Sequence, residues 1–194
     1  MEQLAGMREP EIAAIIEACK QGDRAAFHTL FETYKDRVYS IALHYSGDES
    51  LAKDVTQQVF LKLFSSIGQF RYQAEFTTWL YRIVANACVD EQRKLKRFVP
   101  FAQGFELKNM FENGPQEENY ARRQVAESVR SAISTLSPKL RLPILLKYVE
   151  GLSYEEIAET LNCSMGTVAS RLNRGHKELA RKLGHLRGAV TAGE

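Results

Sequence analysis

Glu150-Gly151-Leu152-Ser153-Tyr154-Glu155-Glu156-Ile157-Ala158-Glu159-Thr160-Leu161-Asn162-Cys163-Ser164-Met165-Gly166-Thr167-Val168-Ala169-Ser170-Arg171-Leu172 reads as two helices joined by a tight turn. Ser153 stands three residues before Glu156, the spacing at which each side chain can satisfy an amide left open at a helix start. Ile157, Ala158 and Leu161 then recur at helical period and give the first helix one apolar face. Asn162-Cys163-Ser164 breaks the pattern, and Ser164 can cap a second helix that buries Val168 and Leu172. Ala158 is small where the two helices must cross closely. The outward residues of the second helix are Thr167, Ser170, Arg171, Asn173, Arg174 and Lys177. Short polar groups followed by cations suit a helix that enters the major groove of DNA.

An amphipathic hairpin with a solvated basic face would share the spacing, so the flanks decide. From Gly166 to Arg187 six cations stand against Glu178 alone, a local charge of +5 beside +2 for the whole chain. Such a concentration attracts phosphate by releasing its counterions. Nucleic-acid binding is the expectation.

The chain has 194 residues, enough for one ordinary domain or two small ones. Twelve glycines and five prolines leave room for long helices. No apolar run approaches a membrane span, and Arg8, Glu9 and Glu11 interrupt the region where a signal peptide needs an apolar segment. A cytoplasmic location is therefore expected. Cys19, Cys88 and Cys163 lie far apart without CxxC spacing, which argues against a disulfide framework or a zinc site. His28, His44, His176 and His185 are scattered without a carboxylate or cysteine at ligand spacing, and no glycine-rich phosphate loop is present. No catalytic residue, metal or cofactor is expected.

Working back from the opening stretch, Ser137-Pro138 should start a helix, with a kink or a later start at Pro143. Before it, a helix from about Tyr120 to Ser134 turns Val125, Val129 and Ile133 inward. Residues Pro100 to Asn119 carry Gly104, Gly114 and Pro115 and read as a linker of net charge −3, too apolar at Phe101, Phe105, Leu107, Met110 and Phe111 to be a purely solvated tether. In the N-terminal half, Ile12, Ile15, Ile16 and Cys19 mark a first helix. Asp23 caps a second, which carries Phe27, Leu30, Phe31, Tyr34, Val38, Ile41 and Tyr45 and stops at Gly47. A third, from about Ser50 to Ser66, buries Leu51, Val55, Val59 and Leu63; Phe60 and Leu61 widen its apolar girth beyond one interface and predict a second, partner-facing surface. Gly68 to Thr78 reads as a loop whose aromatics could stack on unpaired bases, the alternative being that Phe70 and Phe76 tuck beneath it. A fourth helix, about Thr78 to Phe98, presents Arg82, Asn86, Arg93, Lys94 and Arg97 outward, with a net charge of +3 from Arg82 to Arg97. Helix-dipole placement accounts for two or three of those cations, not for the whole run. The fold expected is all-α: two small helical domains joined by a linker, the C-terminal one with a helix-turn-helix.

Asp54-Val55-Thr56-Gln57-Gln58-Val59-Phe60, then Trp79-Leu80-Tyr81-Arg82-Ile83-Val84-Ala85-Asn86, then Tyr148 through Ala158 and Gly166-Thr167-Val168 resemble, in order, a bacterial extracytoplasmic-function sigma factor over about residues 10 to 187. The resemblance implies sigma region 2 over residues 1–99, a linker over 100–119, sigma region 4 over 120–187 and a tail over 188–194. It implies that Asp54, Gln57, Gln58, Phe60 and Leu61 dock on core RNA polymerase, whose beta-prime and beta subunits are the partners of the family. Phe76, Arg82, Asn86, Arg93, Lys94 and Arg97 would engage the −10 element, and Lys147, Thr167, Ser170, Arg171, Asn173, Arg174 and Lys177 the −35 element of promoter DNA. An anti-sigma factor, for which a membrane anchor is one option, is a further implied partner; no small-molecule substrate is. A sigma-like decoy that only captures an anti-sigma factor is the alternative, disfavoured by the cations retained on both DNA-facing helices. Two positions depart from the family pattern: Gln58, where an acidic residue is usual, and Ala169, where a basic one is frequent.

Overall fold

The computed structural model describes residues 9–98 and 117–184, and every regular element among them is helical. Helices α1 (Glu9–Lys20), α2 (Arg24–Ser46), α3 (Glu49–Ser66) and α4 (Phe76–Phe98) form the N-terminal group, with a single 3₁₀ turn at Ile67–Gln69. Helices α5 (Glu117–Ser134), α6 (Pro138–Tyr148), α7 (Tyr154–Thr160) and α8 (Met165–Lys182) form the C-terminal group. The expected linker lies for the most part outside the described residues.

Local chemistry sets most boundaries. The Asp23 carboxylate accepts from the amides of Ala25 (2.8 Å) and Ala26 (3.2 Å) and starts α2. Gly47, at φ +73°, ends it in the left-handed region and donates its N–H to Leu43 O at 2.8 Å. Asp48 then caps α3 through the amide of Leu51 at 2.8 Å. The apolar stripe of α2 (Leu30, Tyr34, Val38, Ile41, Tyr45) packs on Val55, Val59 and Leu63 of α3 and on Leu80, Val84 and Cys88 of α4. Burying these side chains stabilises the group by about 1.5–3 kcal/mol each before chain entropy is counted.

Three expectations change. Helix α4 begins at Phe76, two residues before Thr78, so Phe76 enters the core instead of the loop. Helix α5 begins at Glu117, not near Tyr120. Helix α6 starts at Pro138 and continues through Pro143. The carbonyl that Pro143 leaves without an amide partner belongs to Lys139, an exposed residue, where water can serve it.

In the C-terminal group α8 lies across α6 and α7. A Cβ at Gly175 would come within 3.1 Å of Ile144 Cγ1, so glycine permits the close approach of α8 to α6. The two groups also pack on each other. Helix α4 meets α7, and α2 meets α5 and α6, giving one continuous apolar core. Arg141, 4% exposed, is the polar pin of this junction. Its guanidinium donates to Leu136 O (2.7 Å), to Ser134 O and, across the junction, to Tyr45 O (2.6 Å), and lies 4.6 Å from the centre of the Tyr45 ring.

Candidate nucleic-acid interface

The helix-turn-helix is built as its sequence predicts. Ser153 Oγ accepts from the Glu156 amide at 3.1 Å, and Glu156 Oε2 accepts from the Ser153 amide at 2.7 Å, which closes the capping box of the seven-residue α7. Asn162 turns the chain at φ +48°, a conformation that asparagine tolerates. Ser164 Oγ accepts from the Thr167 amide at 3.2 Å and starts α8. Val168 and Leu172 are buried, as are Ile157 and Ala158 opposite them.

The outer face of α8 carries Ser170, Asn173, Arg174 and Lys177, all exposed, with Asn173 and Arg174 each three or four residues from both Ser170 and Lys177. Arg171 is half-buried and directs Nη1 towards Cys163 Sγ at 3.7 Å. Thr167 is half-buried at the cap, with its hydroxyl 2.9 Å from that of Ser164. Lys147 is half-buried at the end of α6, donating to Leu152 O at 3.0 Å beside the Tyr154 ring. Ser170, though exposed, donates its hydroxyl to Thr167 O at 2.9 Å, so the seven residues expected to face the −35 element divide into three that are fully presented and four that are partly engaged within the chain.

On α4, Asn86, Arg93 and Lys94 are exposed. Arg93 reaches Asp90 at 3.4 Å and Lys94 reaches Glu91 at 3.0 Å, surface pairs too weak to withhold either cation from a phosphate. Arg82 is half-buried, with Nη2 donating to Glu159 O of α7 at 2.7 Å. The side chain of Arg97 lies outside the described residues.

Phe76 needs correction as a base platform. It is 5% exposed, its ring 5.4 Å from Tyr34, 5.7 Å from Phe70 and 6.0 Å from Trp79. It forms the wall of a cleft of about 560 Å³ between α1 and the loop, lined also by Ile12, Tyr34, Phe70, Tyr72 and Glu75. The exposed ring here is Tyr72, held at φ +56°, a conformation rare for so bulky a residue. Its hydroxyl donates to Glu17 Oε1 at 2.7 Å, and Lys20 Nζ sits 4.5 Å from its ring centre. Although the ring is exposed, partial desolvation of its hydroxyl against α1 and the adjacent Glu17 carboxylate push the Tyr72 hydroxyl up to about 12, so it stays protonated and can donate. The sequence contained Tyr72 as a loop aromatic, but its selection over Phe76 depends on packing.

The partner-facing surface of α3 also divides. Asp54, Gln57 and Leu61 are exposed. Gln58 is half-buried and donates to Glu91 Oε2 of α4 at 3.2 Å, so it braces two helices. Phe60 is 5% exposed and meets Phe31 edge-on at 4.7 Å; its truncation would hollow the core, so it is not a free contact residue. The surface includes Phe64, which the sequence did not single out: Phe64 is 58% and Leu61 63% exposed. Both rim an apolar groove of about 670 Å³ between α2 and α3, lined also by Phe27, Phe31, Thr56 and Gln57. The signal for Phe64 lay in its position three residues after Leu61, on the same helix face.

Burial pushes the Cys88 thiol up to about 12, and Cys19 is also raised by burial; both behave as small apolar residues. Among the described residues no group of three or more His, Cys, Asp and Glu side chains could hold a metal ion. Nor is any helix among them long and apolar enough to cross a membrane.

Residues 30–98 match the family model of sigma-70 region 2, and residues 126–184 that of sigma-70 region 4. The ECF RNA polymerase sigma factor SigW of Bacillus subtilis is 31% identical over 179 residues, spanning 88% of this chain and 96% of its own. The fold is shared with CnrH, solved with the cytosolic domain of CnrY (TM-score 0.67, 23% identity, 89% of this chain and 96% of that one). It is shared too with the sigma factor RpoE of Bartonella quintana, solved with the anti-sigma factor NepR (TM-score 0.64, 23% identity, 81% and 96%). A recognition helix, a basic α4 and both sigma-region matches, along one chain that spans nearly the full length of SigW, leave one assignment: the protein belongs to the ECF RNA polymerase sigma factors.

Proposed function

We propose that this chain recruits core RNA polymerase to promoters by dividing the work among three surfaces. The groove between α2 and α3, with Asp54, Gln57, Leu61 and Phe64 on or beside its rim, takes core polymerase. Helix α4 follows the −10 element through Arg82, Asn86, Arg93, Lys94 and Arg97. The cleft beside Tyr72 receives a base turned out of the melting duplex. Unstacking a base costs a few kcal/mol, and stacking on an aromatic ring returns about 1–3 kcal/mol. Phosphate contacts along α4 supply the remainder, so melting requires tighter binding to the opened strand than to the duplex and no chemistry by the protein.

Helix α8 reads the −35 element through Ser170, Asn173 and Arg174, while Lys147, Arg171 and Lys177 hold phosphates and Thr167 orders the helix start. The observation that carries this reading is the exposed face of α8, set by two side-chain caps on a helix-turn-helix scaffold. In this reading residues 1–99, 100–119 and 120–187 are the polymerase and −10 module, the linker and the −35 module, followed by a short tail. The protein acts in the cytoplasm, is a regulatory subunit without catalysis of its own, and is held in check by an anti-sigma factor, as the NepR complex of the structurally similar RpoE suggests.

Arg174→Ala tests the assignment on α8. Loss of about 1–3 kcal/mol on a cognate −35 sequence, with binding to scrambled DNA unchanged, is expected of a base-reading arginine. Equal loss on both sequences would move Arg174 to the phosphates.

A further inference from the structure

A third cleft, of about 490 Å³, lies where α4, α6 and α8 meet. It is separate from the groove between α2 and α3 and from the cleft beside Tyr72. Its apolar wall is made by Val89 of α4, Leu142 and Pro143 of α6, and Leu161 just after α7. Its polar edge takes one cation from each of three helices: Arg93 of α4, Lys139 of α6 and Arg171 of α8. No carboxylate is among the residues that line it. Leu142 and Pro143 are buried, whereas Arg93 and Lys139 are exposed, so the cleft has a dry floor and a charged mouth.

Three like charges around one small cavity repel each other unless an anion sits among them. Little within the chain offsets them. Among the described residues neither Lys139 nor Arg171 makes an ion pair, and Arg171 turns Nη1 to the uncharged Cys163 Sγ at 3.7 Å. The Arg93–Asp90 pair, at 3.4 Å and open to solvent, costs little to break. Gln92, also on the lining, accepts from the Tyr45 hydroxyl at 2.9 Å through Oε1, which leaves its NH2 group as a further donor. The start of α6 reinforces the positive field at the mouth, because its cap residue Ser137 makes no side-chain bond to the helix. The polar side of the cleft is therefore made of donors and positive charge. Two guanidinium groups and an ammonium match the several oxygens and multiple charge of phosphate, where a single carboxylate would offset one of them. A bare phosphate, however, would leave the apolar wall in water. Clefts of about 300–1,000 Å³ hold molecules with a ring-sized apolar body, and this one is of that size.

We propose that this cleft binds a nucleotide, with its phosphates among Arg93, Lys139 and Arg171 and its base against Val89, Leu142, Pro143 and Leu161. Arg93 and Arg171 are also read above as cations for promoter DNA, so nucleotide and duplex should compete for them, each lowering the affinity of the other. That competition rests on the promoter-facing reading of α4 and α8; the site itself does not. Lys139 belongs to neither DNA surface, which makes it the discriminating position.

ADP and inorganic pyrophosphate, each titrated into the intact chain by isothermal calorimetry in magnesium-free buffer, test the site. ADP should bind at one site per chain and at least about tenfold more tightly than pyrophosphate, the difference being the base against the apolar wall. Lys139→Glu should weaken ADP binding at least about tenfold, since it removes a charge-assisted contact and adds a repulsion. The new carboxylate lies in the first turn of α6, where negative charge favours the helix, so the fold should persist by circular dichroism. Lys62→Glu makes the same change of charge at an exposed position of α3 outside the cleft and should alter ADP affinity less than about twofold. Arg171→Gln serves as the second lining variant if Lys139→Glu folds poorly. Absence of ADP binding at millimolar concentration, or a loss in Lys62→Glu as large as in Lys139→Glu, would overturn the site. Pyrophosphate binding as tightly as ADP would overturn the placement of a base on the apolar wall, and with it the nucleotide. Saturating random-sequence duplex DNA should weaken ADP binding to the native chain. ADP binding that is retained in full beside the duplex would overturn the shared use of Arg93 and Arg171, a result distinct from loss of the site.

Discussion

Arg141→Met offers a quantitative check on how the helices are joined. Methionine keeps a linear apolar stem of similar length but removes the donors that serve the carbonyls of Ser134, Leu136 and Tyr45. Two of those carbonyls lie at and just beyond the C-terminal end of α5, where no helical amide can reach them. Each stranded buried carbonyl costs at least about 1 kcal/mol. Relief from burying the guanidinium charge works in the opposite direction, which keeps the total near the low end, about 3 kcal/mol. For a helical unit of this size, that corresponds to a fall in Tm of roughly 6–12 °C. Thermal unfolding of the intact chain followed by circular dichroism measures it. Arg141→Lys, which keeps a charge without the planar fork, should recover less than half of the loss. A methionine variant within about 1 kcal/mol of the native protein would show that the carbonyls find water and that the Arg141 bonds contribute little.

Further outcomes follow from other sites. Ser153→Ala removes the hydroxyl that accepts from the Glu156 amide, leaving the bond from the residue-153 amide to Glu156 in place, and should lower stability by about 1 kcal/mol; an unchanged melting curve would show that packing alone holds α7. Leu61→Glu, at a position 63% exposed, should leave the fold intact and weaken core-polymerase affinity by at least about tenfold in a titration, as for a desolvated contact residue; unchanged affinity would place the polymerase elsewhere. Burial holds the Glu150 carboxyl above the ordinary carboxylate range, against the opposing pull of the Tyr81 hydroxyl, Arg37 and His44. Between the ordinary and the raised value the folded chain binds more protons than the unfolded one, so the contribution of Glu150 to stability should rise as pH falls through that window and decline as pH rises. A stability difference between the native chain and Glu150→Gln that stays constant across mildly acidic pH would contradict this. In native protein Cys163, half-buried, should react with a disulfide reagent before the buried Cys19 and Cys88; simultaneous reaction of all three would mean global opening.

Helix positions were legible because their ends are encoded locally. Asp23, Gly47, Ser153 and Ser164 cap or terminate helices by side-chain or backbone chemistry that needs no distant partner. Side-chain fates that depend on tertiary packing were not legible. Phe76 and Tyr72 both looked like loop aromatics, and only the packing of α1 against the loop separates a buried wall from an exposed ring. Arg141 resembles any surface cation between two leucines, yet its bonds reach a carbonyl 96 residues away. Tyr81 reads as one more core residue of α4, and nothing local foretells that its hydroxyl donates to Glu150, 69 residues on. The α8 face was readable for the opposite reason: its exposed residues need only the helical period, and the local caps fix that period in place.

Transcription from a library of random promoters by purified core polymerase, with and without the purified chain, tests the central claim most directly. Transcripts that appear only with the chain present, starting downstream of one shared pair of −10 and −35 sequences, are the predicted result. Initiation that is identical with and without the chain on every template would contradict it.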